Sequence, residues 1–525
     1  MKTQSKTSRK KAYTTSKSTS KSTKTKVNYD NNNNNNVVMI SKPSAPRKMF
    51  YTNPKTAYHL SRSSFYNQEK LDSIISFIDD YSYDLNKGKT IDAKIIEQKL
   101  FNHEPANCIC ENISLDSGAK LRALNNDCAC SNVKRYSSQG RSGASINSIE
   151  CNGVKNILKV VPLSNYYIKK RDETKKYIFL EMDGFTLQTI INTFVYRELP
   201  LNTVSINNSG TCIKEKMKIL GIGLGKSYMG YNLMEEANLG SGKDFIKKLI
   251  KGDLDDEFSI PEGAYGRDIR YKMVVNFLLQ AVCIIGHLQA SSLEFFHGDY
   301  KPDNVFVKRL ETSETDYYHF NLSGISDVRP GQIPIKIRNM GFAVLIADFD
   351  ISSITLKSTS DKIKKKYRLI SPIKYKLLLG TSVNQTLKKY GNSDPEKVKA
   401  AQLDKFGISK IIRRNMDPTM PILRASGVRY FRDIDLYTFF IILISTENIL
   451  EYVLEHKIDE TIMSFMSDKF RKYLIKLKPK NIIMNASAYI ALDILSKIKE
   501  PMPRIFTTKY IKSLEILNLH LFEPK

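Results

Sequence analysis

The sequence predicts an α+β fold in two lobes, a small antiparallel-sheet lobe followed by a larger helical lobe, behind a disordered basic N-terminal tail. Three observations lead there. Between about 136 and 240 the apolar residues fall in short runs broken by turns, with 157–161 (Ile-Leu-Lys-Val-Val) as a compact strand. Beyond about 265 the chain reads as mostly helical, with 271–289 as a long apolar-rich helix. Residues 1–36 are rich in Lys, Ser and Thr and end in an asparagine run, a composition that cannot bury a core.

The tail and linker occupy 1–60. Net charge over the 525 residues is +27. Residues 1–50 carry twelve Lys or Arg against the single acid Asp30, which leaves +16 for the other 475. Such a balance favours anionic partners of the tail, nucleic acid or acidic protein or lipid, or serves only to keep it solvated. Residues 61–135 form an N-terminal extension. Leu71, Ile74, Ile75, Phe77 and Ile78 predict an amphipathic helix over 69–81. Two Cys-x-Cys pairs follow, Cys108 with Cys110 and Cys128 with Cys130, near His103. One spacer residue is tight for zinc, and seven cysteines in an intracellular setting argue against a disulfide framework, so unpaired thiols are the expectation.

The main domain is placed at 136–525, with its small lobe over about 136–240 and its large lobe over about 241–525. Within it 179–196 reads as helix, 231–234 as strand, and 433–446, 449–456 and 486–499 as further helices. The most apolar run, 436–444, is nine residues, the length of a core helix, so no transmembrane segment is expected. The N-terminus lacks the apolar stretch of a secretory signal, which points to an intracellular, cytoplasmic setting.

The chemistry concentrates at His297-Gly298-Asp299-Tyr300-Lys301-Pro302-Asp303-Asn304, directly after the long helix. An Asp that can take the proton of an attacking hydroxyl, a Lys that neutralises phosphoryl charge and an Asn that offers an oxygen to Mg²⁺ make a phosphoryl-transfer set. This segment resembles the catalytic loop of protein kinases, H-R-D-L-K-P-x-N. The resemblance implies catalytic roles for Asp299 and Lys301 and a metal-binding role for Asn304. Leu345-Ile346-Ala347-Asp348-Phe349-Asp350 resembles the family's D-F-G behind a strand, which implies Asp348 as second metal ligand and Phe349 packed beneath the site. Asp350 stands where the family has Gly. Asp348 lies 44 residues beyond Asn304, a separation long for the family, so 309–340 is expected to be an inserted hairpin or loop. Asp433-Ile434-Asp435-Leu436-Tyr437 resembles the helix whose Asp braces the catalytic loop.

In the small lobe, Ser138-Gln139-Gly140-Arg141-Ser142-Gly143 resembles a G-x-G-x-x-G loop, in which Gly140 and Gly143 would let backbone N–H groups approach phosphates. Lys159 stands alone in an apolar strand and needs a partner for its ammonium. ATP phosphates and a helix carboxylate would supply one, with Glu181 the candidate and Glu198 and Glu173 its rivals. Leu233-Met234-Glu235-Glu236-Ala237 resembles the hinge that bonds adenine through its backbone, with Met234 in the gatekeeper place and Glu235 and Ala237 after it.

Gly298 replaces the Arg that pairs with a phosphorylated activation loop in most kinases, which predicts little need for such activation. Together these motifs resemble the divergent serine/threonine kinases of large DNA viruses, of the poxvirus virion kinase type. The asparagine run and the Lys/Asn/Ile-rich composition look like an AT-rich giant-virus genome. The resemblance implies a two-lobed protein-kinase-like fold, ATP with Mg²⁺ or Mn²⁺, protein substrates including viral structural proteins, and a place in the virion. Two alternatives stand beside it. Gly298 and Asp350 lean towards a small-molecule phosphotransferase of the aminoglycoside or choline kinase type, and Lys301 leans back. An inactive pseudokinase scaffold is the other, although Lys159, Asp299, Asn304 and Asp348 are all present.

Overall fold

The computed structural model describes residues 68–91, 95–96, 113–114, 120–121, 130–137, 144–151, 154–163, 167–215, 226–310, 315–322, 335–371, 434–444, 446, 448–465 and 505–522. The chain divides into two units, Met1–Ala45 and Pro46–Lys525, and every described residue belongs to the second. The basic tail, His103, Cys108, Cys110, Cys128, the loop with Gly140 and Gly143, and the 486–499 helix lie outside the described residues.

Helix α1 (Gln68–Asn86) buries Leu71, Ile74, Phe77, Ile78 and Leu85 along one face. Strand β1 (Thr90–Ile91) and a short hairpin of β2 (Ile113–Ser114) and β3 (Lys120–Leu121) follow. Next come β4 (Cys130–Ser137), β5 (Ser145–Cys151), β6 (Val154–Leu163), β7 (Ile168–Glu173) and β8 (Tyr177–Met182). Helix α2 (Gly184–Glu198), β9 (Ile206–Glu215) and β10 (Lys226–Glu235) complete the strand-rich part. Cys151 is disulfide-bonded, against the expectation of unpaired thiols.

Strand β11 (Gly240–Ser241) leads into α3 (Gly242–Lys251), α4 (Asp255–Phe258) and α5 (Gly263–Ala290). A 3-10 turn at Pro302–Asn304 precedes β12 (Val305–Arg309), β13 (Tyr317–Phe320), β14 (Ile335–Arg338) and β15 (Phe342–Ile346). Then come β16 (Ile354–Lys357), β17 (Lys366–Ile370), α6 (Ile434–Ile444), α7 (Ile449–Glu455), α8 (Ile458–Thr461) and α9 (Thr508–Phe522). The protein thus mixes helices with mostly antiparallel sheets.

Two five-stranded sheets flank α2. The first runs β4-β5-β6-β10-β9 and is antiparallel throughout. The second runs β1-β7-β8-β17-β16, with β17 parallel to β8. Strand β8 is buried at all six positions, because both its neighbours and both its faces are covered. Such a strand reads as a continuous apolar run, which the sequence leaves indistinguishable from a buried helix. That is why 179–196, expected as one helix, is a strand to Met182 and a helix from Gly184. Asp183 makes the break: its carboxylate caps α2 by accepting from Thr186 N at 2.9 Å.

Helix α2 is buried continuously from Phe185 to Val195. Phe185 lies under Gly230 of the first sheet, where a Cβ would come within 2.7 Å of its ring. Asn192 donates to Val204 O at 2.9 Å. The expected insertion contains the β13–β14 hairpin, tied to α5 by Asn276 Nδ2 donating to Arg338 O at 2.8 Å. Helix α5 is long and apolar enough to cross a membrane by length and composition, but 89% of its most apolar window is buried within the protein. It is the central core helix. Side chains of α1 belong to the same hydrophobic core as those of β8, α2 and α5.

Candidate active site

The segment after α5 is held from three sides. Phe296 exchanges backbone hydrogen bonds with Ser353, at 2.9 and 2.8 Å. Both oxygens of the buried Asp435, in the first turn of α6, accept from the loop, from His297 N at 2.7 Å and Gly298 N at 2.9 Å. His297 is fully buried. Its Nδ1 accepts from Asp299 N at 3.3 Å, so Nε2 carries the proton and donates to Ala347 O at 2.9 Å. Gly298 has φ +87°, and a Cβ there would lie 2.8 Å from Ile351 O. Both facts exclude the Arg found in most kinases: the backbone is left-handed and the space is filled.

Within this loop Asp299 Oδ2 accepts from Lys301 Nζ at 2.7 Å and from Asn304 Nδ2 at 3.0 Å. Asn304 Nδ2 also donates to Asp299 O at 2.9 Å, so its Oδ1 is the atom it offers outward. Burial raises the Asp299 carboxyl above its ordinary value, with Lys301 opposing. Tyr300 points away from the site, fully buried, donating to Ala281 O at 2.8 Å and stacked on Phe439.

Strand β15 delivers Asp348 opposite this loop. Its φ of +65° is a left-handed conformation that Asp tolerates better than most residues. Lys159 of β6 reaches across, with Nζ 2.6 Å from Asp348 Oδ1 and 3.0 Å from Gln188 Oε1. Burial opposes both charges, but their mutual attraction outweighs it, holding Lys159 above and Asp348 below its usual range. Phe349 is fully buried between Phe295 and His297. Asp350 follows, raised to about 7 by burial and then by the charge of Asp348. A Cβ on Gly184 would lie 3.2 Å from its carbonyl oxygen, so the start of α2 packs on this residue.

The structure brings Lys159, Asp299, Lys301, Asn304 and Asp348 into one site. It places Glu181 elsewhere. That residue lies on β8, outside α2, and pairs with Lys169 at 2.9 Å while accepting from Tyr167 OH at 3.0 Å. Glu173 pairs with Lys170 and Lys365, and Glu198 lies 4.0 Å from His287. Gln188 occupies the place beside Lys159, and sequence reasoning missed it by searching for a carboxylate. Glu198, in the last turn, is the sole acid on α2.

Met234 stands opposite Ile157 in the β10–β6 ladder, two residues along from the pairing of Asn232 with Lys159. The carboxylate of Glu235 accepts from Ser205 N at 2.9 Å and pairs with Lys308 at 2.6 Å, and its own N–H donates to Ser205 O. Glu235 is therefore committed within the chain, and two residues further on the Ala237 carbonyl closes a turn with Gly240 N at 3.0 Å.

No family model matches this chain, and no curated protein matches it. Among solved structures the chain is similar to the BubR1 kinase domain, at 14% identity and a TM-score of 0.27. The overlap covers 57% of this chain and 64% of that one, and it is too loose to carry an argument.

Proposed function

We propose that this protein transfers the γ-phosphoryl group of ATP to serine or threonine hydroxyls of proteins. What supports this most is the meeting of two groups, Lys159 of β6 with Asp348 after β15 at 2.6 Å, and Asp299 with Lys301 and Asn304 at 2.7 and 3.0 Å, near enough that the charge of Asp348 acts on Asp299.

In this reading Asp299 accepts the proton of the attacking hydroxyl. The hydroxyl oxygen forms a bond to the γ-phosphorus as the bond to the ADP oxygen breaks. Lys301, already at Asp299, neutralises charge on the transferring group, and Lys159 turns from Asp348 towards the nucleotide phosphates. Asp348 and Asn304 Oδ1 would hold Mg²⁺. Among the described residues no group of three or more His, Cys, Asp or Glu has metal-holding geometry. Two oxygen ligands suit an ion that takes the rest of its shell from phosphates and water. When bound, the ion supplies charge neutralisation across the β- and γ-phosphates. Met234 and Ala237 would line the adenine side. The virion setting and viral structural substrates rest on the sequence resemblance.

The test is an ATP/Mg²⁺ assay of the full chain and its Asp299→Asn variant, offered basic protein, casein, aminoglycosides and choline. Phosphate on protein Ser or Thr, reduced about 10²- to 10⁴-fold in the variant, is the expected result. Transfer to a small molecule alone would move the protein to that class, and no Asp299-dependent transfer would leave a scaffold.

A further inference from the structure

One carboxylate outside the site gathers an unusual set of donors. Asp79, on the inner side of α1, accepts from Ser358 Oγ at 2.7 Å, Thr359 N at 2.9 Å, Thr359 Oγ1 at 2.7 Å, Ser360 N at 3.2 Å and Tyr367 OH at 2.8 Å. The first four donors belong to the connection between β16 and β17, and Tyr367 is on β17 itself. A carboxylate accepting two backbone N–H groups and three hydroxyls fixes a turn as a helix cap fixes a first turn. Helix α1 is seated by its own buried face, so the anchor behind Asp79 is rigid.

What Asp79 holds leads in two directions to the site. Strand β17 runs parallel to β8, whose end passes through Asp183 straight into α2 and so to Gln188 beside Lys159. In the other direction, the buried Arg368 of β17 donates to Glu294 O at 2.6 Å, Thr355 Oγ1 at 2.8 Å and Ser353 Oγ at 2.9 Å. Ser353 is the residue bridged to Phe296, and Ser352 Oγ donates to His297 O at 2.7 Å, two residues before Asp299.

We infer that α1 is a strap built into the chain: Asp79 and Arg368 are positioning residues that hold the catalytic loop and α2 in working register. The effect on rate rests on the phosphotransfer reading; the mechanical coupling does not. Neither residue touches the reacting groups. They act by limiting the play of a loop whose misplacement by about 1 Å costs about a hundredfold in rate.

The test compares the full chain with Asp79→Ala, and with Asp80→Ala as the exposed neighbour on the same helix. Amide hydrogen exchange is followed over 354–370 and 293–300, with kcat and the KM for ATP. The expected result is faster exchange in both segments and kcat lowered about tenfold or more in Asp79→Ala, with KM less affected and Asp80→Ala unchanged. Exchange confined to 354–370, or an unchanged kcat in an active protein, overturns the inference. If the wild-type chain transfers no phosphate, the spread of exchange to 293–300 still decides the coupling. Should Asp79→Ala not fold, Tyr367→Phe and Thr359→Val each remove one donor and are expected to move exchange the same way.

Discussion

Gln188 Oε1 lies 3.0 Å from Lys159 Nζ, so the buried ammonium meets an amide on α2, and its carboxylate partner is Asp348 at 2.6 Å. The charge of Lys159 is therefore balanced by a residue that would also bind metal. In the phosphotransfer reading proposed above, nucleotide binding would exchange these partners: Lys159 would keep its amide anchor while Asp348 would turn to the ion.

This arrangement makes a prediction at α2. Gln188→Leu removes the anchor, and loss of a hydrogen bond to a charged group, about 1.5–3 kcal/mol, corresponds to a fall in kcat/KM of about ten- to a hundredfold. Gln188→Glu preserves the acceptor and is expected to stay within about threefold of wild type. Initial rates at varied ATP decide between these outcomes. Equal activity of the Leu and Glu variants would remove Gln188 from the site.

Asp435 holds two loop N–H groups with two oxygens. Asp435→Asn offers one acceptor and a clashing donor. It is expected to lower stability by about 1–3 kcal/mol, read as a shift in the denaturant midpoint at unchanged slope.

Gly298→Ala is expected to destabilise by at least about 1–2 kcal/mol, because the left-handed backbone alone costs that much and the added Cβ meets Ile351 O. Gly298→Arg adds a long side chain to the same clash. Thermal unfolding of the two variants should order them wild type, then Ala, then Arg.

Acid should unfold the protein through the brace at Glu294. Burial opposes its charge, but Tyr177, Lys366 and Arg368 outweigh it and hold the carboxyl down at about 2. A folded value below the unfolded one means this stabilisation is full above the ordinary Glu range and is lost as pH falls from there towards 2. Asp79, also lowered by its donors against the pull of burial, acts in the same direction. His287, kept neutral by burial at about 4, adds a loss that begins below its ordinary 6.5, since the unfolded chain takes up the proton first. Glu294→Gln should flatten the acid limb of a stability–pH curve, and a limb of unchanged slope would exclude Glu294 as its source.

Much of the site was legible because its parts are local. Asp299, Lys301 and Asn304 lie within six residues, on one turn, and they contact one another. Asp348 and Phe349 follow a run of apolar residues that forms β15. The long apolar-rich run 271–289 found the core of α5, and the periodicity of 69–81 found most of α1. Less legible was the second sheet. The segment 366–370 carries two basic residues at the end of a lysine-rich stretch, yet its Tyr367, Arg368, Leu369 and Ile370 are buried against β8. Glu181 looked like the partner of Lys159 while its segment read as helix. Once that segment is a strand, the carboxylate turns to Lys169.

The sequence by itself determined the elements whose signals are local to the chain: helices at a period near 3.6, short apolar strands, and the 297–304 loop, compact enough to be read as one motif. Tertiary structure alone decided which amide anchors Lys159, which residue Asp79 grips and which strand β17 joins. Those pairings span 29, 279 and about 190 residues. They are selected by which buried polar groups must find partners once the core has formed, and that requirement leaves no periodic trace in the chain.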